Sequence, residues 1–225
     1  MPLDSKDLKQ ISHLTINHYE SRAVDFWEGT RDHDVTANIR KLLQYIDGRA
    51  PFYILDFGCG PGRDLKAFRE LGHVAIGLDG ATSFVAMARA FSDCEVWQQD
   101  FCQLDLPLST FDGVFANAAL FHVPSQVLPK VLQELYASLK PGGVLFSSNP
   151  RSLNEGSDED PTEDPAQPIE EGWNEDRYGT YYSLPQWRRM MVAANFIELT
   201  HYFRPEGLPR EQQRWLASVW KKASK

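Results

Sequence analysis

The chain has 225 residues, 42% of them hydrophobic and 24% charged, with a formal net charge of −8. That length suits one sizeable α/β domain with a small addition rather than two full domains. The acidic balance, without a long basic run, speaks against a nucleic-acid partner, which needs a positive footprint. No apolar stretch of roughly 18 residues marks a membrane span, and the polar start MPLDSKDLKQ shows no secretory signal. Cys59, Cys94 and Cys102 form no CxxC pair, which points to reduced thiols in a cytoplasmic setting. No cluster of His, Cys and Asp has metal-ligand spacing, so no metal is expected.

Residues from about 4 to 48 read as helices, with Leu8, Ile11 and Leu14 on one face and Ile39, Leu42, Leu43 and Ile46 on another. Asp47-Gly48 closes the second in the usual glycine manner. The division expected is an N-terminal helical cap over 1–48 and a main domain over 49–225. A strand–helix rhythm follows. FYILDF, VAIGLD, CEVWQQD, FDGVFAN and VLFSSNP read as strands, and RDLKAFREL, ATSFVAMARAF and QVLPKVLQELYASL as helices. Short loops and this alternation imply a parallel sheet covered on both faces.

The rhythm breaks at an insert over about 151–183. RSLNEGSDEDPTEDPAQPIEEG has acids and prolines but almost no apolar residue, so it reads as a mobile loop, long enough for a lid over a ligand. GWNEDRYGTYY, dense in aromatics, follows it. SLPQWRRMMVAANF then reads as a helix with a serine cap, and FIELTHYF and RWLASVWKK as two last strands, about seven in all.

The segment ILDFGCGPGRD places Gly58, Gly60 and Gly62 directly after the first strand, at the sheet edge where open parallel sheets bind ligands. Glycine there lets backbone approach a ligand, and the next helix offers its N-terminus. A dinucleotide fits the same logic, but its fingerprint has the third glycine one place later, where this chain has Arg63. Asp79 ends the second strand, 21 residues after Gly58, where a carboxylate can accept from both hydroxyls of a ribose. That alone does not separate one ribose-bearing cofactor from another.

DFGCGPG, the acid of VAIGLDG, QQDF and the strand FDGVFAN together resemble the class I S-adenosylmethionine (SAM) methyltransferases over about residues 52–148. The resemblance implies a doubly wound, mostly parallel seven-stranded sheet with helices on both faces, the Rossmann-like methyltransferase fold, its last strand antiparallel. It implies SAM as cofactor, with S-adenosyl-L-homocysteine (SAH) as product. It assigns the cofactor to Asp56, Gly58, Cys59, Gly60, Gly62, Asp79 and Gly80, to Asp100 and Phe101 at the adenine, and to Asn117 near the methionine portion. Tyr19 of the cap would reach that same end.

A methyl group on a sulfonium is already activated, so the residues must chiefly align the acceptor and exclude water. His122, just beyond the fourth strand, is the candidate base for an acceptor that begins protonated; a structural histidine is the alternative. The NPPY-type sequence of base and glutamine methylation is absent after Asn117, which favours a small-molecule acceptor. Trp27, Trp173, Arg177, Tyr178 and Tyr182 are the candidate substrate residues, with Arg177 available for a carboxylate. A SAM-binding regulatory or partner subunit without catalysis stays open, as does a nucleotide-dependent oxidoreductase. Monomer and homodimer are both compatible with the sequence.

Overall fold

Three helices precede the sheet in a computed structural model that describes residues 3–152, 169–174 and 176–224. Helix α1 (Ser5–Ser21) starts at Asp4, whose carboxylate accepts from the Lys6 and Asp7 amides while Asp7 bonds back to the Asp4 amide. Helices α2 (Ala23–Thr30) and α3 (Thr36–Leu43) follow. The stretch carrying Tyr19, Phe26 and Trp27, which shows no clear period in sequence, is the end of α1 and the whole of α2. Its aromatic rings form a chain, with Tyr19 and Phe26 5.6 Å apart and Phe26 5.2 Å from Phe84.

The alternating part runs β1 (Tyr53–Phe57), α4 (Arg63–Glu70), β2 (Val74–Asp79), α5 (Thr82–Ser92), β3 (Glu95–Gln98), β4 (Phe111–Asn117), α6 (Leu128–Ser138) and β5 (Leu139–Pro150). After a hairpin of β6 (Glu170–Asn174) and β7 (Arg177–Tyr181) come α7 (Leu184–Ala193), β8 (Ile197–Arg204) and β9 (Trp215–Lys221). The sheet order is β3-β2-β1-β4-β5-β9-β8. Strands β1 to β5 pair in parallel, and β9 lies antiparallel between β5 and β8. This is the mostly parallel seven-stranded sheet that the alternation implies.

Both faces are covered. Leu65 and Phe68 of α4 and Val85 and Ala88 of α5 pack with Ile39 and Leu42 of α3 on one face. Residues of α6 and α7, Leu132, Leu135, Trp187 and Met191 among them, pack on the other. Ser218 of β9 resolves the polar demand in that core: its hydroxyl oxygen accepts from the Trp187 and Trp220 indoles at 3.0 and 2.8 Å and lies 3.0 Å from the Ser147 hydroxyl.

The β6–β7 hairpin, which the aromatic segment forms, lies outside the main sheet. It is fastened at several points. The Tyr178 amide donates to Thr15 Oγ1 of α1, and Thr180 Oγ1 lies 2.9 Å from the Phe121 and Val123 carbonyls. Ser125 donates through its amide and hydroxyl to the Glu171 carboxylate. Most of the acidic tract expected to form a loop or lid, 153–168, lies outside the described residues. No helix among the described residues is long and apolar enough to cross a membrane.

Candidate functional site

The chain leaves β1 towards β2 and β3 on one side and returns to β4 on the other, so a crevice opens at the carboxyl ends of β1 and β4. The glycine turn sits in it. Gly58 has φ 75°, and a Cβ there would lie 2.5 Å from the Ala119 Cβ. At Gly62, φ 95°, a Cβ would meet the Ala88 Cα of α5 at 2.8 Å. These two glycines therefore let the turn touch its neighbours on either side. The amides of the turn are spent inside the protein: Gly58 and Cys59 donate to the Leu78 carbonyl at 2.8 and 3.1 Å, and Gly60 to Asp79 Oδ2 at 3.0 Å. What the turn presents is bare backbone, locked to the end of β2. Cys59 packs over Gly77 of β2, where a Cβ would come within 2.8 Å of its sulfur.

Beside the turn lies a cavity of about 850 Å³, in the upper part of the range of roughly 300–1,000 Å³ usual for small-molecule sites. Gly58, Gly60, Asp79, Gly80, Asp100 and Phe101 border one end of it. Asp79 is buried, and each of its oxygens already accepts one amide, from Gly60 and Ala81 at 3.0 Å each. A carboxylate has about four acceptor sites, so with the Gly80 amide also acting on it one remains for a ribose hydroxyl. Burial pushes the Asp79 carboxyl up to about 6 against the pull of these amides. Asp100 accepts from the Cys102 amide at 2.8 Å, and the Phe101 ring packs 4.4 Å from that of Phe57. A bare floor, an acid at the end of β2 and an acid beside an aromatic ring after β3 suit an adenosyl group.

The other end is closed by α1, α2 and the hairpin. Here Tyr19, His122 and Arg177 form one hydrogen-bonded line. His122 Nδ1 is 2.8 Å from the Tyr178 carbonyl, which only accepts, so Nδ1 carries the hydrogen. Nε2 then accepts from the Tyr19 hydroxyl at 2.7 Å, and the Tyr19 oxygen accepts from Arg177 Nη1 at 3.1 Å. Burial pushes the His122 imidazole down to about 4, against the bond to the Tyr178 carbonyl. Burial likewise raises Tyr19, with Arg177 opposing it. Both groups are neutral near pH 7.

Of the cofactor residues expected from sequence, Tyr19, Gly58, Cys59, Gly60, Asp79, Gly80, Asp100, Phe101 and Asn117 border this cavity. Asp56 and Gly62 stand behind the turn instead. Asp56 is buried with Oδ2 unpaired, and burial first, then the nearby Asp64 charge, raises its carboxyl well above the ordinary range. Of the expected substrate residues, Trp27 and Arg177 border the cavity, as does the candidate base His122. Trp173 is half exposed with its ring against Tyr178, while Tyr178 and Tyr182 are buried away from the cavity, Tyr182 against Trp187. Tyr178 contributes through its backbone. Thr15, Tyr181, Arg204 and Trp215 also border the cavity; Thr15, Arg204 and Trp215 carry no local signal, being isolated residues on distant elements.

The sheet order and the glycine turn define the Rossmann-like fold of class I methyltransferases. Residues 54–143 match the protein family described as a methyltransferase domain, and the fold around them is the one that class I SAM-dependent methyltransferases, whose cofactor is SAM, share. The chain is 32% identical over 124 residues to the trans-aconitate 2-methyltransferase of Azoarcus sp., covering 54% of this chain and 48% of that one. It is 30% identical over 118 residues to an 18S rRNA (guanine-N(7))-methyltransferase of Schizosaccharomyces pombe, covering 46% and 43%. With the sterol 24-C-methyltransferase of Yarrowia lipolytica it shares 31% over 153 residues, covering 57% and 39%. The chain spans less than half the length of each of these relatives. Among solved structures, the 1,6-didemethyltoxoflavin-N1-methyltransferase of Burkholderia thailandensis, bound to 1,6-didemethyltoxoflavin and SAH, shares the fold. The TM-score is 0.75 at 21% identity, over 99% of this chain and 92% of that one.

Proposed function

We propose that the protein is a cytoplasmic enzyme that transfers a methyl group from SAM to a small-molecule acceptor, leaving SAH. The observation that supports this is one cavity with two chemically different ends, bare backbone and carboxylates at one, aromatic rings and guanidinium groups at the other. SAM, when bound, supplies a methyl group already activated on a sulfonium. The chain's residues supply the rest. Asp79 holds the ribose and Asp100 the adenine amino group, with Phe101 beside the ring and Gly58 and Gly60 as the floor. Asn117 holds the methionine end, and residues 1–48 act as a cap that keeps water from the reacting atoms.

A small acceptor suits this site better than a polynucleotide. Helices α1 and α2 and the hairpin all border the cavity, and a net charge of −8 disfavours the approach of a phosphate backbone. Tyr19 and His122 act together, His122 holding the phenol in one orientation towards the acceptor. Calorimetry with SAM, SAH and NAD tests the cofactor reading: SAM and SAH are expected to bind at about micromolar Kd, and a preference for NAD overturns it. Transfer of labelled methyl from SAM to a small-molecule acceptor tests the activity.

A further inference from the structure

The titratable groups around the acceptor end are committed to one another. Both nitrogens of His122 are occupied, Nδ1 by the Tyr178 carbonyl and Nε2 by the Tyr19 hydroxyl. The Tyr19 proton is spent on His122, so towards a substrate Tyr19 can only accept. Asp64 is held by both forks of Arg63, at 2.6 and 3.1 Å, and by the Asn117 amide at 3.2 Å. His33 and Asp34 border the cavity from its exposed rim, where Asp34 accepts from the Thr36 amide. Among the described residues, no group at the buried acceptor end has an unengaged basic site for a proton from an incoming nucleophile.

Arg177 is the reverse case, a half-buried cation with no carboxylate paired to it among the described residues. One of its five N–H donors goes to Tyr19, which leaves four in the fork geometry that fits a carboxylate. The other partly buried guanidinium at this cavity that has a partner, Arg63, is bonded to Asp64 and to the Thr30 carbonyl. Arg204, at the end of β8, also borders the cavity, with neither ion pair nor hydrogen bond to a described residue. It acts on Asp34, which is lowered first by its bonds to Thr36 and, after these, by the Arg40 and Arg204 charges. In a chain with eight excess negative charges, two guanidinium groups border one cavity without a carboxylate in contact among the described residues.

We propose that the acceptor is a carboxylic acid, methylated on a carboxylate oxygen to give a methyl ester, with Arg177 as the residue that holds the carboxylate. The inference rests on the methyl-transfer reading above. A lone pair of the carboxylate oxygen forms the O–CH₃ bond as the S–CH₃ bond breaks, and that bonding pair leaves with sulfur. The acceptor loses its negative charge, the sulfonium becomes a neutral thioether, and no proton moves. A nucleophile that arrives ionised needs no base, which matches a site where the buried His122 imidazole has both nitrogens engaged. The aromatic wall of Tyr19, Phe26, Trp27 and Tyr181 suits the carbon body of such an acid.

The test is labelled methyl transfer from SAM to a panel of aliphatic and aromatic mono-, di- and tricarboxylic acids, with their primary amides, phenols and amines alongside. Acids alone are expected to accept, and the label to be released as methanol in alkali. Arg177→Met is expected to lower kcat/KM for the accepted acid by about tenfold or more, with Arg177→Lys intermediate. SAH affinity by calorimetry should stay within about twofold in both variants. The accepted acid should raise the melting temperature of the SAH complex of the natural protein but not of Arg177→Met. Alkali-stable label, acceptance by amines or phenols in place of acids, no accepted acid from a protein that binds SAH, or loss of SAH binding in Arg177→Met each overturns the proposal. Failure to bind SAH or SAM at all overturns the methyl-transfer reading instead.

Discussion

The Tyr19 hydroxyl and His122 Nε2 lie 2.7 Å apart across 103 residues of sequence, and that single bond decides what either group can do. With the imidazole hydrogen held on Nδ1 by the Tyr178 carbonyl, the bond spends the phenol proton on Nε2 and turns the oxygen's remaining acceptor capacity towards Arg177 and the cavity. In the proposed reading His122 is thereby a positioning residue for Tyr19.

The pH profile follows from this. With His122 held down to about 4 by burial, kcat/KM for the acceptor at saturating SAM is expected to be flat between about pH 6 and 8. An acid limb near 6.5, the ordinary imidazole value, would show that a histidine works as base. Tyr19→Phe leaves the buried Nε2 unpaired, and turnover is expected to fall by about 10- to 100-fold, the equivalent of roughly 1–3 kcal/mol. Steady-state kinetics of Tyr19→Phe, compared with its SAH affinity, checks that the loss lies in the acceptor step.

Asp79 carries a pH dependence of its own, in which burial shifts the group the opposite way. Its carboxyl is raised to about 6 by burial, so below that pH the free protein holds it protonated, with one acceptor position fewer for the ribose. SAH binding selects the ionised form. Affinity should therefore rise with pH up to about 6 and then level, with about a tenfold loss at pH 5 relative to pH 7.5. Asp79→Asn should weaken binding by about 1–3 kcal/mol and abolish the slope. Calorimetry at pH 5, 6 and 7.5 measures both, and an unchanged slope in Asp79→Asn places the titration elsewhere.

The glycine turn separates two kinds of constraint. Gly58→Ala combines φ 75° with a Cβ 2.5 Å from the Ala119 Cβ, so the Ala119 segment must move. The expected loss of unfolding free energy is about 2–4 kcal/mol. Gly60→Ala keeps φ 51° but meets only Phe26, at 3.7 Å, and should cost about 1–2 kcal/mol, the left-handed penalty alone. Urea midpoints of the two variants give the order, and Gly60→Ala as the weaker protein contradicts it.

The two ends of the cavity were unequally legible. The cofactor end is built from residues that directly follow parallel strands, so GCGPG, the acid of VAIGLDG and DF of QQDF carry their position in local sequence. The acceptor end is assembled from α1, the 120–122 turn, the hairpin and the ends of β8 and β9, and no local pattern links Thr15, Arg204 and Trp215. Within 170–181 the aromatic density was visible but the hairpin was not. Strand alternation sends Arg177 and Tyr181 of β7 to the cavity and the side chains of Tyr178 and Thr180 to the other face, the Tyr178 ring against Trp173 and the Thr180 hydroxyl to the Phe121 and Val123 carbonyls. Without the strand, the side chain of Tyr178 and the cation beside it look equally available.

Asn38 shows how far the site reaches into the scaffold. It is fully buried on α3, donates to Asn117 Oδ1 at 3.1 Å and accepts from the Tyr202 hydroxyl at 3.1 Å. Asn117 in turn donates to Asp64, and Arg63, paired with Asp64, donates to the Thr30 carbonyl at the end of α2. Asn38→Ala strands one acceptor and one donor, and the unfolding free energy should fall by about 1–3 kcal/mol. Asn38→Asp is the sharper probe, because it sets a carboxylate oxygen against Asn117 Oδ1 where a donor is needed and places a new acid in a fully buried position. It should therefore be less stable than Asn38→Ala at pH 7 and recover part of the difference in acid, as the new carboxyl takes up a proton and becomes a donor. Urea denaturation at pH 7 and pH 5 measures the pair; equal stability of the two variants at pH 7 would mean that Asn117 presents its amide nitrogen, and not its oxygen, to position 38.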